Sequence, residues 1–186
     1  MFDWLKRKWD GAAKEKPMTA SSPLSSSNSH SKNKNTIHHA HIVHDPNLIK
    51  RLTDEHIVLL DAYNVILKAV EAENFSLVAL KLYEFGETLR AHLLAEHVEL
   101  YIYLEYVLAQ DSQEFNTMHQ LRVEMDKISA DVMGFLNRYQ SNPVCQKTAD
   151  QFKVQFLEVG QVLSSRIKRE EEHLYKLYRP EKALHQ

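Results

Sequence analysis

Glycine and proline are scarce in this chain, at four and five among 186 residues. Compact strand-and-turn folds spend both freely at turns, so their rarity argues against such a fold. Cysteine is nearly missing as well, and the single Cys145 excludes an intrachain disulfide. No apolar run reaches the roughly 18 residues that cross a bilayer. An excess of positive charge is also lacking: the formal charge is −2 and the pI is about 6.6. That leaves no basic footprint for phosphate backbones, so nucleic acid is not an expected partner. The opening MFDWLKRKW has neither the continuous apolar stretch nor the small-residue cleavage site of a secretory signal. It is read as retained, and the protein as soluble and cytoplasmic.

What is present is a helix-former composition from Leu48 onward, dominated by Leu, Ala, Glu, Lys, Gln and Arg. The chain divides into three zones. Residues 1–45 form an amphipathic start and a linker, residues 46–180 a single helical domain, and residues 181–186 a short tail. In the start, Phe2, Trp4, Leu5 and Trp9 alternate with Lys6, Arg7 and Lys8. Such a segment is too short to hold a helix alone in water. It reads as a mobile end, with peripheral membrane contact as its functional alternative. The stretch from Lys14 to about Ala40 includes SSPLSSSNSHSKNKN and carries too few large apolar residues to offset the entropy of ordering. It is expected to be a disordered tail.

Four stripes with helical period follow. The first runs Leu48, Leu52, His56, Leu59, Tyr63, Ile66 and Val70. The second runs Leu82, Phe85, Leu89, His92, Glu96, Leu100, Tyr103 and Val107, with Asn74 or Ser76 as the N-cap. The third runs Phe115, Met118, Leu121, Met125, Ile128, Val132, Phe135 and Tyr139, and should end before Ser141, Asn142 and Pro143. The fourth runs Phe152, Phe156, Val159, Leu163, Arg166, Glu170, His173 and Leu177, and is stopped by Pro180. Short connections between long helices favour antiparallel neighbours. The predicted fold is all-α, an up-down-up-down four-helix bundle around one core.

Five polar residues fall on the core side of these stripes: His56, His92, Glu96, Arg166 and Glu170. A polar group at a core position must be paired, hydrogen-bonded or liganded, because stranding it costs several kcal/mol. His92 and Glu96 are four apart and project from the same helix face; Arg166 and Glu170 repeat the spacing. Helical bundles build dinuclear iron or manganese sites from inward carboxylates and histidines on facing helices. Elsewhere the signals are weak. His38, His39, His41 and His44 sit at the edge of the linker without a folded frame, so adventitious metal affinity is expected there. Cys145, beside Pro143, has no nearby motif to lower its pKa and is read as structural.

The segments LRAHLLAEHVELYIYL and LSSRIKREEEHLYKLY resemble the two histidine-x-x-x-glutamate helices of the hemerythrin-like, or HHE, domains, and each keeps the glutamate and the Leu-Tyr that follows it. LIKRLTDEHIVLLDAY resembles the first helix of that family, with His56 as its single histidine. In TMHQLRVEMDKI, His119 is the nearest match to the histidine of the third. The resemblance implies that His56, His92, His119, Glu96 and Glu170 ligate iron, as a pair of ions bridged by the two glutamates. One departure is plain: Arg166 stands where the fourth-helix histidine would be. An arginine offers no lone pair to a metal, but its fixed charge can neutralise Glu96 and Glu170. Three forms of the centre therefore stay open: a diiron pair, a reduced or mononuclear site, and a metal-free polar core.

Two functional classes follow. One is a hemerythrin-type protein that binds iron, oxygen or nitric oxide. The other is a metal-free regulatory protein acting on a protein partner, since the second and fourth helices also resemble those of anti-sigma regulators of the Rsd/AlgQ type. Enzymatic catalysis is not expected. The sequence offers no partnered Ser or Cys nucleophile and no phosphate-cradling glycine loop.

Overall fold

The computed structural model describes residues 42–109 and 112–180, with Ser112 described by its backbone alone. The expectations for the amphipathic start, the linker, His38, His39, His41 and the tail after Pro180 fall outside these residues.

Helix α1 is Leu48–Glu71. Helix α2 begins as Phe75–Ala95, passes through a π-helical turn at Glu96–Tyr101 and resumes as Ile102–Val107. Helix α3 is Ser112–Ser141. Helix α4 begins as Ala149–Arg169, passes through a second π turn at Glu170–Leu174 and ends as Tyr175–Leu177. Helix α1 packs on α2 and α4, and α3 on the same two, which closes an antiparallel four-helix bundle. No strand occurs among the described residues. No helix among them is long and apolar enough to cross a membrane.

The boundaries have local causes. The Asn74 side chain accepts from the Leu77 N–H at 3.1 Å and caps α2, as its residue type favours. Ahead of it, Glu73 turns the chain at φ 53°, a left-handed conformation that non-glycine residues rarely adopt. At the other end of the bundle, His44 stacks on Tyr178 with ring centroids 4.7 Å apart, and the Asp45 N–H donates to the Tyr178 hydroxyl at 2.9 Å. Thus the packed domain takes in residues that the sequence assigned to the linker. Cys145 is exposed, and its thiol is drawn below the usual range, first by a hydrogen bond with Thr148. Thr148 is the nearby lowering group that the sequence reading missed.

The core has an apolar section at each end. Near the α1–α2 and α3–α4 turns, Phe85, Phe135, Phe152 and Phe156 are buried in mutual ring contact. Towards the other end, Leu48, Leu52, Leu100, Leu104, Leu108, Met118, Leu121 and Leu174 form a second cluster with Tyr101, Tyr103, Tyr175 and Tyr178. The polar residues lie between the two.

The π turns alter the expected stripes. Hydrogen bonds from i to i+5 insert an extra residue into one turn and rotate everything downstream. On α2, Leu104 and Leu108 are consequently fully buried while Val107 is only half-buried. On α4, His173 is exposed and Leu177 half-buried, and Leu174, Tyr175 and Tyr178 take the core positions. Both slips begin at an interior glutamate, Glu96 in one helix and Glu170 in the other.

Candidate metal centre

Four side chains that could ligate a metal, from three helices, meet at mid-bundle: His56 of α1, His92 and Glu96 of α2, and Glu170 of α4. All are at most 5% exposed, and one ligand atom from each lies within 4.8 Å of the others. Helical spacing explains the pairing on α2, where residues four apart share a face. Arg166, one turn before Glu170 and 1% exposed, joins the same layer.

Each histidine is braced from behind. His56 Nδ1 lies 2.9 Å from Glu171 Oε1, and His92 Nδ1 lies 2.8 Å from Glu55 Oε2. A carboxylate at Nδ1 fixes the proton on that nitrogen and turns the Nε2 lone pair inward, the arrangement found behind metal-ligating histidines. The two imidazoles meet edge to face at 4.7 Å. Inside the layer, Tyr175 donates to Glu96 Oε1 at 2.9 Å and lies 3.2 Å from His56 Nε2. Arg166 Nε donates to Glu170 Oε1 at 2.6 Å and Nη2 to the Tyr101 hydroxyl at 2.9 Å. Both tyrosines reach inward because the π turns rotate them there.

Burial and charge set the protonation states. Desolvation is the main force that raises the Glu96 carboxyl to about 8, repulsion from Glu170 adds to it, and Arg166 counteracts. For Glu170 burial acts upward too, but the His56 hydrogen bond and the Arg166 charge outweigh it and hold the group below its usual range. Burial pulls His56 down, yet its bonds to Glu170 and Glu171 prevail and raise it. His92 is lowered, chiefly by burial. Without a cation, then, the layer favours a proton on Glu96 and a charged Glu170 held between Arg166 and His56.

The remaining sequence candidate, His119, stands apart. It is exposed on α3 and stacks on Phe115 of its own helix, with ring centroids 6.3 Å apart. The core face of α3 runs through Met118, Leu121 and Met125, which leaves a neighbour of Met118 about 100° away from it. At the level of the polar layer α3 contributes Met125 to the wall of a small cavity, also lined by the four ligating residues, Arg166, Tyr63 and Gly160. That cavity leaves about 20 Å³ for the centre of a water-sized molecule. Sequence reasoning also missed Glu55, Glu171, Tyr101 and Tyr175. The only trace of the tyrosines was the Leu-Tyr pair after each glutamate.

The donor set can be tested against one ion and against two. With metal–ligand bonds of about 2.0–2.2 Å, opposite ligands on a single ion would stand about 4.0–4.4 Å apart. The observed 4.8 Å span would therefore need to close by about 0.4–0.8 Å. Glu96 Oε2 is buried without a hydrogen-bond partner, as expected of an atom shaped for a cation. A second ion would find no donor from α3 among the described residues that line the cavity, and the guanidinium of Arg166 already pairs with Glu170.

A bundle with an inward, carboxylate-braced His₂Glu₂ cluster has the fold and the donors that could hold a cation. The model of the hemerythrin HHE cation-binding domain matches residues 47–178, well over half of the chain. The chain belongs to that family. Nothing among curated proteins or solved structures matches it.

Proposed function

We propose that this protein is a metal-binding hemerythrin-like protein whose centre takes one divalent cation, iron, on His56, His92, Glu96 and Glu170. The observation that carries the reading is the bracing of both histidines by carboxylates at Nδ1, since a merely satisfied interior histidine has no need of an inward lone pair. Two histidines with carboxylates and open positions suit ferrous iron among the first-row metals. Such an ion supplies affinity for a small diatomic such as oxygen or nitric oxide. The chain's own residues do the rest. Glu55 and Glu171 orient the imidazoles, Tyr175 positions Glu96, and Arg166 holds Glu170 and provides the positive charge that a second ion brings elsewhere in the family. The apolar sections above and below keep bulk water out.

A second reading, a metal-free regulatory protein acting on a protein partner, draws support from the Arg166–Glu170 pair, which satisfies one carboxylate without any metal. Metal analysis separates the two. Protein loaded anaerobically with ferrous iron and then desalted is expected to retain one ion per chain. Loss of binding in the His56→Ala and His92→Ala variants assigns the ion to this centre. No retained metal under these conditions rejects the first reading in favour of the second.

A further inference from the structure

We propose that the outer face of α2 is the contact surface for a second copy of this chain, so that the protein forms a twofold dimer through antiparallel α2 helices.

The composition of that face is the first argument. Ala91, Leu94, Val98, Ile102 and Tyr106 recur every three or four residues and all face solvent, with Leu94 63% and Tyr106 51% exposed. The row continues through the π turn at Glu96–Tyr101. His92 and Glu96 point the other way, into the core, so the row is separate from the metal centre. A solvent-facing stripe on a bundle helix ordinarily carries polar and charged residues. On the outer face of α3, Asn116, Gln120, Asp126 and Lys127 fill that role.

Size is the second argument. Val58 of α1 extends the patch, since Glu55, one turn before it, bonds His92 of α2. With about half of each side chain exposed, the six residues offer on the order of 500 Å² of apolar surface. A stable interface takes about 800 Å² from each partner, and in homodimers about 65% of that is apolar, or about 520 Å². The patch therefore matches what one copy contributes to a dimer.

Charge names the occupant. A twofold axis at Val98, the middle of the row, runs the helices antiparallel and sets the α3 side of one copy against the α3 side of the other. Arg90 and Glu105 both lie on that side: the Arg90 guanidinium sits over Gly86 beside Leu136 and Gln140 of α3, and Glu105 pairs with Arg122 of α3. They stand about two turns before and after Val98, so Arg90 of each copy meets Glu105 of the other. On the α1 side, Arg51 and Glu99, 2.5 Å apart, lie next to the axis, which brings the two copies' pairs together with opposite charges in reach. A lipid surface would call for a rim of one sign, and this rim carries both.

Sedimentation equilibrium of the full chain with a chelator, from about 1 to about 100 µM, covers the weak end of interfaces of this size. The mass is expected to rise towards twice 21.7 kDa. Val98→Glu places two like charges at the axis and should raise the dissociation constant on the order of 100-fold. Helicity should be unchanged, because Val98 is 49% exposed. Ile102→Lys is the second variant if the first does not fold. Arg90→Glu should weaken the dimer several-fold and Glu105→Arg in the same chain should restore it, which tests the antiparallel register. A photoreactive side chain at Leu94 should cross-link to residues 98–102 of a second copy. A chain that stays monomeric throughout that range, or a dimer that survives both apolar-to-charged substitutions, overturns the proposal. So does a cross-link from Leu94 to residues 2–9 of its own chain, which gives the face a different occupant.

Discussion

Replacing Arg166 by alanine in metal-free protein removes a guanidinium that is 1% exposed and hydrogen-bonded to Glu170 at 2.6 Å and to Tyr101 at 2.9 Å. Hydrogen bonds to charged groups contribute about 1.5–3 kcal/mol each. The loss does not stop there, because Glu170 is 2% exposed and its nearest remaining cationic partner, His56 Nε2, lies 3.4 Å away. Breaking a buried ion pair from one side typically costs about 3–5 kcal/mol. That range is the expected destabilisation, limited at its upper end because Glu170 can take up a proton once the arginine is gone. Urea unfolding followed by far-ultraviolet circular dichroism, in the presence of a chelator, measures it. The double variant Arg166→Met with Glu170→Gln should recover most of the loss, since removing both charges leaves nothing stranded. A cost below about 1 kcal/mol for Arg166→Ala, with an unchanged denaturant slope, would refute the claim that this guanidinium is the cation of the apo core.

Other expectations follow from the same geometry. Arg166→His restores a histidine four residues before Glu170 and should raise iron stoichiometry from one towards two per chain, read by metal analysis. Between about pH 6.5 and about 8 the metal-free protein should lose stability as pH rises. Native Glu96 still holds a proton that the unfolded chain has released, and the raised His56 acts in the same direction; one proton corresponds to about 1.4 kcal/mol per pH unit. Bound metal requires deprotonated ligands and should reverse the slope, so melting midpoints against pH with and without chelator check the sign. A methyl group at Gly160 would overlap the ring of Tyr63, so Gly160→Ala should cost about 1–3 kcal/mol, and Tyr63→Leu in the same chain should relieve part of it in a double-mutant cycle. Glu73→Gly relaxes the left-handed residue between α1 and α2. It should stabilise the chain by about 1 kcal/mol, less whatever the Gln146 bond to Glu73 contributes, and thermal melts decide.

The sequence alone determined the number of helices, the stripes they bury and the height of the polar layer. Each of these depends on local periodicity and on the scarcity of turn residues, and both are written in neighbouring positions. It also placed His56, His92, Glu96, Arg166 and Glu170 inside, because a polar residue in register with leucines has few other places to go. The tertiary structure decided the rest. A 3.6-residue period carried through Glu96 and Glu170 puts Val107 and His173 in the core, whereas the π turns bring in Leu104, Leu108, Leu174 and the two tyrosines instead. Such turns yield no pattern that period-based reading detects, since they are stabilised by what the rotated side chains then touch. His119 illustrates the same limit: motif spacing offered it as a ligand, but a residue one position off the core stripe of α3 points to solvent. The bracing of His56 by Glu171 and of His92 by Glu55 spans separations of 115 and 37 residues. Contacts between helices exist only after the helices have packed, and the choice between one cation and two depends on those contacts.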